Sequence, residues 1–145
     1  MSIKVLIADD HEVVRSGLLS VFEDSEIEVV AQASDGEEAV AKTIAQRPDV
    51  LLMDIRMPEA DGIQALARLR SVAPETKVVV LSTYDNPTYV ARAVALGAKD
   101  YALKGAPEGD LIATIRRVAK GGDAEPKGLL STVKATMSVR KNTRD

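Results

Sequence analysis

Three uninterrupted apolar runs constrain this chain most: Val5-Leu6-Ile7, Val50-Leu51-Leu52-Met53 and Val78-Val79-Val80-Leu81. A strand with one wet face alternates apolar and polar residues, whereas a strand covered on both faces does not. These short β-branched runs therefore read as central strands of a parallel sheet buried between two helical layers. Two further runs, Glu28–Ala33 and Lys99–Leu103, complete a set of five. The segments between them carry helical spacing. Val13, Val14, Leu18, Leu19 and Phe22 mark the first helix face. Ala39, Val40, Thr43 and Ile44 follow Asp35-Gly36, and Ile63, Leu66, Ala67 and Leu69 follow Asp61-Gly62. Val90, Ala93, Val94 and Leu96 follow Asn86-Pro87, and Leu111, Ile112, Ile115 and Val118 follow Ala106-Pro107. Gly97 and Gly121-Gly122 read as helix stops, and Pro87 and Pro107 as first-turn prolines.

Five strand–helix repeats predict an α/β fold. The expected form is a doubly wound, five-stranded parallel sheet of flavodoxin-like order 2-1-3-4-5, with five helices in three αβα layers. Residues 1–120 hold all the repeats and form the expected domain. Residues 121–145 open on Gly121-Gly122 and Pro126, which reads as a linker. Leu129, Val133 and Met137, four apart, predict at most a short helix in the tail that follows. A helix-turn-helix needs three or more helices, so no complete DNA-binding domain is expected there.

Charge and composition narrow the function classes. The net charge is −3, and the acidic excess lies in residues 1–120, so the main body is not a polyphosphate-binding surface. The tail is mildly basic, with five cationic and three acidic residues. There is no Cys and one His, which excludes disulfide frameworks, thiolate zinc sites, a cysteine nucleophile and multi-histidine metal sites. No apolar run approaches the ~18 residues of a membrane span, and Met1-Ser2-Ile3-Lys4 leads straight into a strand rather than a signal peptide. A cytoplasmic protein with no membrane partner is expected.

In doubly wound sheets the ligand site lies beyond the carboxyl ends of the central strands. The first strand ends in Asp9-Asp10, the third in Asp54, the fourth in Ser82-Thr83 and the fifth in Lys104. Three carboxylates at one edge repel one another unless a proton or a cation sits among them. Oxygen donors favour Mg²⁺, with Mn²⁺ as a substitute. A lysine across the site neutralises further charge, and a hydroxyl donates a hydrogen bond to an incoming oxygen. Together these groups make a phosphoryl-transfer site, in which one carboxylate forms an acyl phosphate. Asp54 suits that role best, because it ends the middle strand and precedes a loop. Asp9 and Asp10 then serve as metal ligands or as acceptors for metal-bound water.

These residues carry a family resemblance. Asp9-Asp10-His11, Leu51-Leu52-Met53-Asp54-Ile55-Arg56-Met57-Pro58, Asp61-Gly62, Leu81-Ser82 and Tyr101-Ala102-Leu103-Lys104 resemble the receiver domain of two-component response regulators. The Asp-Asp-His start, with Arg15 four residues on, is similar to the NarL/FixJ (LuxR-type) subfamily, whose members add a C-terminal helix-turn-helix. The resemblance spans residues 3 to about 120. It implies that Asp54 accepts a phosphoryl group from a phosphohistidine on a sensor histidine kinase. It implies that Asp10, Asp54 and the backbone carbonyl of Arg56 hold Mg²⁺, with Asp9 bound through its water. Ser82 and Lys104 would bind the phosphoryl oxygens, and Tyr101 would change rotamer as Ser82 moves. The implied output is a switched surface around the fourth helix, fifth strand and fifth helix. It would act through phosphorylation-dependent homodimerisation or partner binding, in control of transcription. Such a chain is a signalling switch rather than an enzyme, catalysing at most its own phosphorylation and dephosphorylation. DNA would be reached only through a module outside this chain.

Other readings compete. Many receivers place Pro directly after the strand-five Lys; here Gly105 and Ala106 intervene before Pro107, which loosens that loop and bears on acyl-phosphate lifetime. Asp10 also reads as the cap of a helix over His11–Phe22, His11 as a polar helix-start residue, and Tyr101 as a half-buried strand aromatic. An Asp-nucleophile phosphatase would want an acid two residues beyond Asp54, where Arg56 stands. A flavin carrier of similar fold would meet repulsion between its phosphate and Asp9-Asp10. A stand-alone or pseudo-receiver acting by protein–protein binding is the remaining alternative.

Overall fold

The computed structural model describes residues 2–54, 62–82, 91, 93–105 and 107–121, with backbone only at 62, 63 and 108. Five strands form one sheet: β1 (Ile3–Ala8), β2 (Ile27–Ala33), β3 (Val50–Asp54), β4 (Lys77–Ser82) and β5 (Asp100–Leu103). All pairings are parallel and the order is β2-β1-β3-β4-β5. The connecting helices are α1 (Glu12–Phe22), α2 (Gly36–Gln46), α3 (Gly62–Val72), α4 (helical at 91 and 93–95) and α5 (Glu108–Ala119). The expected topology is the observed one.

The continuous apolar runs have the predicted cause. Every residue of β3 is buried. Alternate side chains divide between two cores. Leu6, Leu51, Val80 and Tyr101 face Val40 of α2, Leu66 and Leu69 of α3, and Ala93 of α4. Val5, Ile7, Leu52 and Leu81 face Leu18 and Phe22 of α1, and Leu111, Ile115 and Val118 of α5. Sheet and two helical layers thus account for the αβα arrangement.

Helix faces are narrower than the sequence pattern proposed. Val13 is 85% exposed and Ile44 42% exposed, although both were read as core positions, and Ala67 is also exposed. Neighbours in sequence point about 100° apart on a helix, so Val14 and Leu18 can face the sheet only if Val13 turns to solvent. The first helix begins later than expected. His11, not Asp10, is the N-cap of α1, and no side-chain cap bond forms there. Asp35 does cap α2, accepting from the Glu38 N–H at 2.8 Å. Pro107 is the N-cap of α5 rather than its first-turn residue. Gly97 adopts φ +101° and closes the helix before it, with Ala98 N–H donating back to the Ala93 carbonyl at 2.9 Å. The expectations for Asn86-Pro87, Asp61, Thr83, the Arg56 carbonyl and the tail from Gly122 onward lie outside the described residues.

Candidate functional site

The strand order makes β1 and β3 neighbours although the chain passes through β2 between them. The connections leave β1 and β3 on opposite faces, and a crevice opens beyond their carboxyl ends. Asp9 follows β1 directly, and its N–H still donates to the Ala33 carbonyl of β2 at 2.9 Å. Asp54 is the last residue of β3 and pairs in register with Leu81. Ser82 ends β4 and pairs with Leu103, and the Lys104 N–H donates to the Ser82 carbonyl at 2.7 Å. The sheet ladder thereby delivers Asp9, Asp54, Ser82 and Lys104 to one edge, and Asp10 follows Asp9 there.

The acids meet at close range. Asp9, Asp10, His11 and Asp54 each bring a ligating atom within 4.8 Å of the others. Lys104 Nζ lies 2.5 Å from Asp9 Oδ2 and 3.0 Å from Asp54 Oδ2. Asp9 is fully buried, Asp54 nearly so, and Asp10 half-buried. Asp9 Oδ1 accepts the His11 backbone N–H at 2.8 Å, an i to i+2 turn typical of aspartate. Burial pushes the Asp9 carboxyl up, but the hydrogen bonds from Lys104 and from the His11 backbone and ring outweigh it and hold the group below its ordinary value. Burial likewise pushes Lys104 down, but its bonds to Asp9 and Asp54 carry it above its ordinary value.

Two negative charges remain after Lys104 is set against the three carboxylates. Asp10 Oδ1 is buried and accepts no hydrogen bond among the described residues. The His11 ring stands 3.0 Å away without the geometry of one. A buried carboxylate oxygen without a donor, beside two more carboxylates, suits a divalent cation. Three of the four clustered groups are carboxylates, and oxygen donors fit Mg²⁺ or Mn²⁺. His11, 61% exposed, adds a ring nitrogen 2.9 Å from Asp9 Oδ1.

Two features escaped the sequence. His11 joins the acid cluster, although sequence offered it no partner; the Asp-x-His spacing is the signal that an i to i+2 turn would bring them together. Arg15 reaches back to the Asp9 carbonyl, with Nη1 at 2.6 Å. Ser82 and Tyr101 are both buried, and Tyr101 sits in the core shared with α2, α3 and α4.

Residues 5–116 match the family described as the response regulator receiver domain. The chain belongs to that family. Oxygen regulatory protein NreC of Staphylococcus haemolyticus (strain JCSC1435) is 43% identical over 120 residues, 81% of this chain and 55% of NreC. This receiver thus spans about half the length of the curated relatives it matches. Among solved structures, the signal receiver domain of the response regulator NarL from Mycobacterium tuberculosis shares 34% identity at a TM-score of 0.78, covering 83% of this chain and 98% of that one. The isolated REC domain of RcsB from Salmonella enterica serovar Typhimurium, in the presence of the phosphomimetic BeF3-, shares 25% identity at a TM-score of 0.79, covering 92% and 99%. The chain is a receiver domain similar to those of NarL- and NreC-type response regulators. Receiver domains generally bind Mg²⁺ at an acidic pocket, and clustered aspartates are present here. No helix among the described residues is long and apolar enough to cross a membrane.

Proposed function

We propose that this receiver takes a phosphoryl group onto Asp54 from a phosphohistidine of a sensor histidine kinase, in the cytoplasm. The observation that carries the reading is the pairing of Lys104 Nζ with both Asp9 and Asp54 at the edge where three carboxylates converge. A carboxylate oxygen of Asp54 forms the O–P bond as the N–P bond of the phosphohistidine breaks, and the released imidazole nitrogen takes up a proton from solvent. Asp10 and Asp54, with the Arg56 backbone carbonyl, are assigned to Mg²⁺, and Asp9 to its water. Asp9 Oδ1 accepts from the His11 N–H and Oδ2 is ion-paired with Lys104, which supports that division. Bound Mg²⁺ would supply charge stabilisation to the equatorial phosphoryl oxygens. Lys104 and Ser82 are assigned to those oxygens, and Tyr101 to the rotamer change that follows.

The charge logic supports a switch. Phosphorylation replaces a carboxylate of about −1 by a group of about −1.5 to −2 with three acceptor oxygens. Two or three charge-assisted hydrogen bonds at about 1.5–3 kcal/mol each match the ~5.5 kcal/mol needed to invert a 1:99 equilibrium. The output we assign is a changed dimerisation or partner surface on α4, β5 and α5. In the full regulator it would control transcription, with DNA reached through a separate module. Residues 1–120 are assigned as the receiver unit and 121–145 as linker and tail. Self-catalysed phosphorylation and dephosphorylation are the only chemistry assigned.

Intact-mass spectrometry after incubation with a small acyl-phosphate donor and Mg²⁺ tests the reading. One added phosphoryl group is expected in the wild type and none in Asp54→Ala. An unchanged wild-type mass would overturn it. Sedimentation with and without beryllofluoride tests the dimer: identical profiles would remove that claim.

A further inference from the structure

Arg15 has no role in the chemistry proposed above, yet its half-buried guanidinium is committed to the edge of the acid pocket. Nη1 donates to the Asp9 carbonyl oxygen at 2.6 Å, and Nε donates to Gln32 Oε1 of β2 at 3.2 Å. Among the described residues no carboxylate pairs with it within salt-bridge distance.

Asp9 is the point where β1 leaves the sheet. Its N–H remains in the ladder, bonded to Ala33, but its carbonyl has passed beyond the strand pairing. A buried carbonyl without a donor is costly, and Arg15 supplies a charge-assisted one. That carbonyl belongs to the peptide unit joining Asp9 to Asp10. Since the unit is planar, fixing its oxygen also fixes the direction in which Asp10 departs. Gln32 holds the other side of the guanidinium. It keeps the cation aimed at the carbonyl, rather than free to swing among three carboxylates and compete with a metal. Lys42 Nζ in turn donates to the Gln32 carbonyl at 2.6 Å, tying this strand position to α2.

We infer that Arg15 is a positioning residue of the Mg²⁺ site: its fork, braced by Gln32, sets the Asp9-Asp10 peptide and so holds both carboxylates in cation-binding geometry. The inference rests on the metal assignment made above. It opposes the simple electrostatic expectation in sign. A cation near the pocket repels Mg²⁺, so removing Arg15 should tighten binding if charge alone mattered. Positioning predicts the reverse.

The test is isothermal titration of the 145-residue chain with MgCl₂, alongside thermal melts with and without Mg²⁺. Arg15→Met is expected to weaken Mg²⁺ binding about tenfold, the lower end for loss of an outer-shell partner. Arg15→Lys, which keeps charge but not the planar fork, is expected between Met and wild type. Gln32→Leu is expected to weaken binding in the same direction. The rise in melting temperature on adding Mg²⁺ should shrink in step, whereas a merely structural role lowers both melts equally and leaves that rise intact. Folded Arg15→Met that binds Mg²⁺ within twofold of wild type, or more tightly, overturns the inference. Should Arg15→Met not fold, Arg15→Lys and Gln32→Leu are judged by the same criterion. A wild-type chain that gives no Mg²⁺ isotherm overturns the metal assignment itself and this inference with it.

Discussion

Lys104 and Asp54 stand 50 residues apart in the chain, and Nζ donates to Oδ2 across 3.0 Å at the pocket. The same ammonium is 2.5 Å from Asp9 Oδ2, so one cation bridges the ends of β1 and β3 from the end of β5. Its charge offsets part of the repulsion among the converging carboxylates. Lys104→Met removes the ammonium that is ion-paired with the buried Asp9 and Asp54 carboxylates. A loss of about 3 kcal/mol is expected in Mg²⁺-free urea denaturation, the lower end for breaking a buried pair because Asp10 opens to solvent. Added Mg²⁺ should restore part of it. Unchanged Mg²⁺-free stability would show that Lys104 does not neutralise the pocket.

The same pair sets a pH window. Asp9 lies below its ordinary value of 3.8 in the folded chain, so its contribution is complete above 3.8 and is lost as pH falls through the lower folded value. Lys104 lies above its ordinary 10.5, so its contribution is complete below 10.5 and is lost as pH rises through the higher folded value. Between these limits the pair adds a constant increment. The part of the stability difference between wild type and Asp9→Asn that comes from this pair should therefore be constant between 3.8 and 10.5 and be lost below and above those limits. A slope near pH 7 assigned to Asp9 by carboxyl NMR would contradict this.

On the opposite side of the fold, Glu26 is clamped by Arg116, whose Nε and Nη2 both reach its carboxylate. The Arg116 hydrogen bond holds the Glu26 carboxyl down to about 2. This pair is solvent-facing and therefore sensitive to screening. Carboxyl NMR should show the Glu26 midpoint returning toward 4.5 in Arg116→Ala and, in part, in about 1 M salt. A midpoint near 4.5 in the wild type at low salt would rule out the clamp.

Asp35 tests a purely local device. Its side chain accepts the Glu38 N–H at 2.8 Å at the start of α2. Asp35→Ala should cost about 1 kcal/mol in urea denaturation and leave Mg²⁺ affinity unchanged, because α2 contributes no ligand to the pocket. A shift in Mg²⁺ affinity would show that the cap reaches the site.

The sequence by itself determined the architecture and the addresses of the acids. Unbroken runs such as Val50–Met53 can be satisfied only between two helical layers, and parallel strands separated by helices send every strand end to one edge. Asp9, Asp54, Ser82 and Lys104 were legible for that reason: each directly follows or ends an apolar run, and Asp10 stands next to Asp9. Tertiary structure decided the rest, because those facts depend on angles that residue order does not carry. Helix rotation turned Val13 outward and Val14 inward. The turn at Asp9 moved the helix cap from Asp10 to His11 and brought the imidazole to the acids. Packing of α1 against β2 placed Arg15 over the Asp9 carbonyl. Periodicity reports which face an element buries. Only the packed molecule settles how far that face is rotated, and a hydrogen bond depends on a few tenths of an ångström.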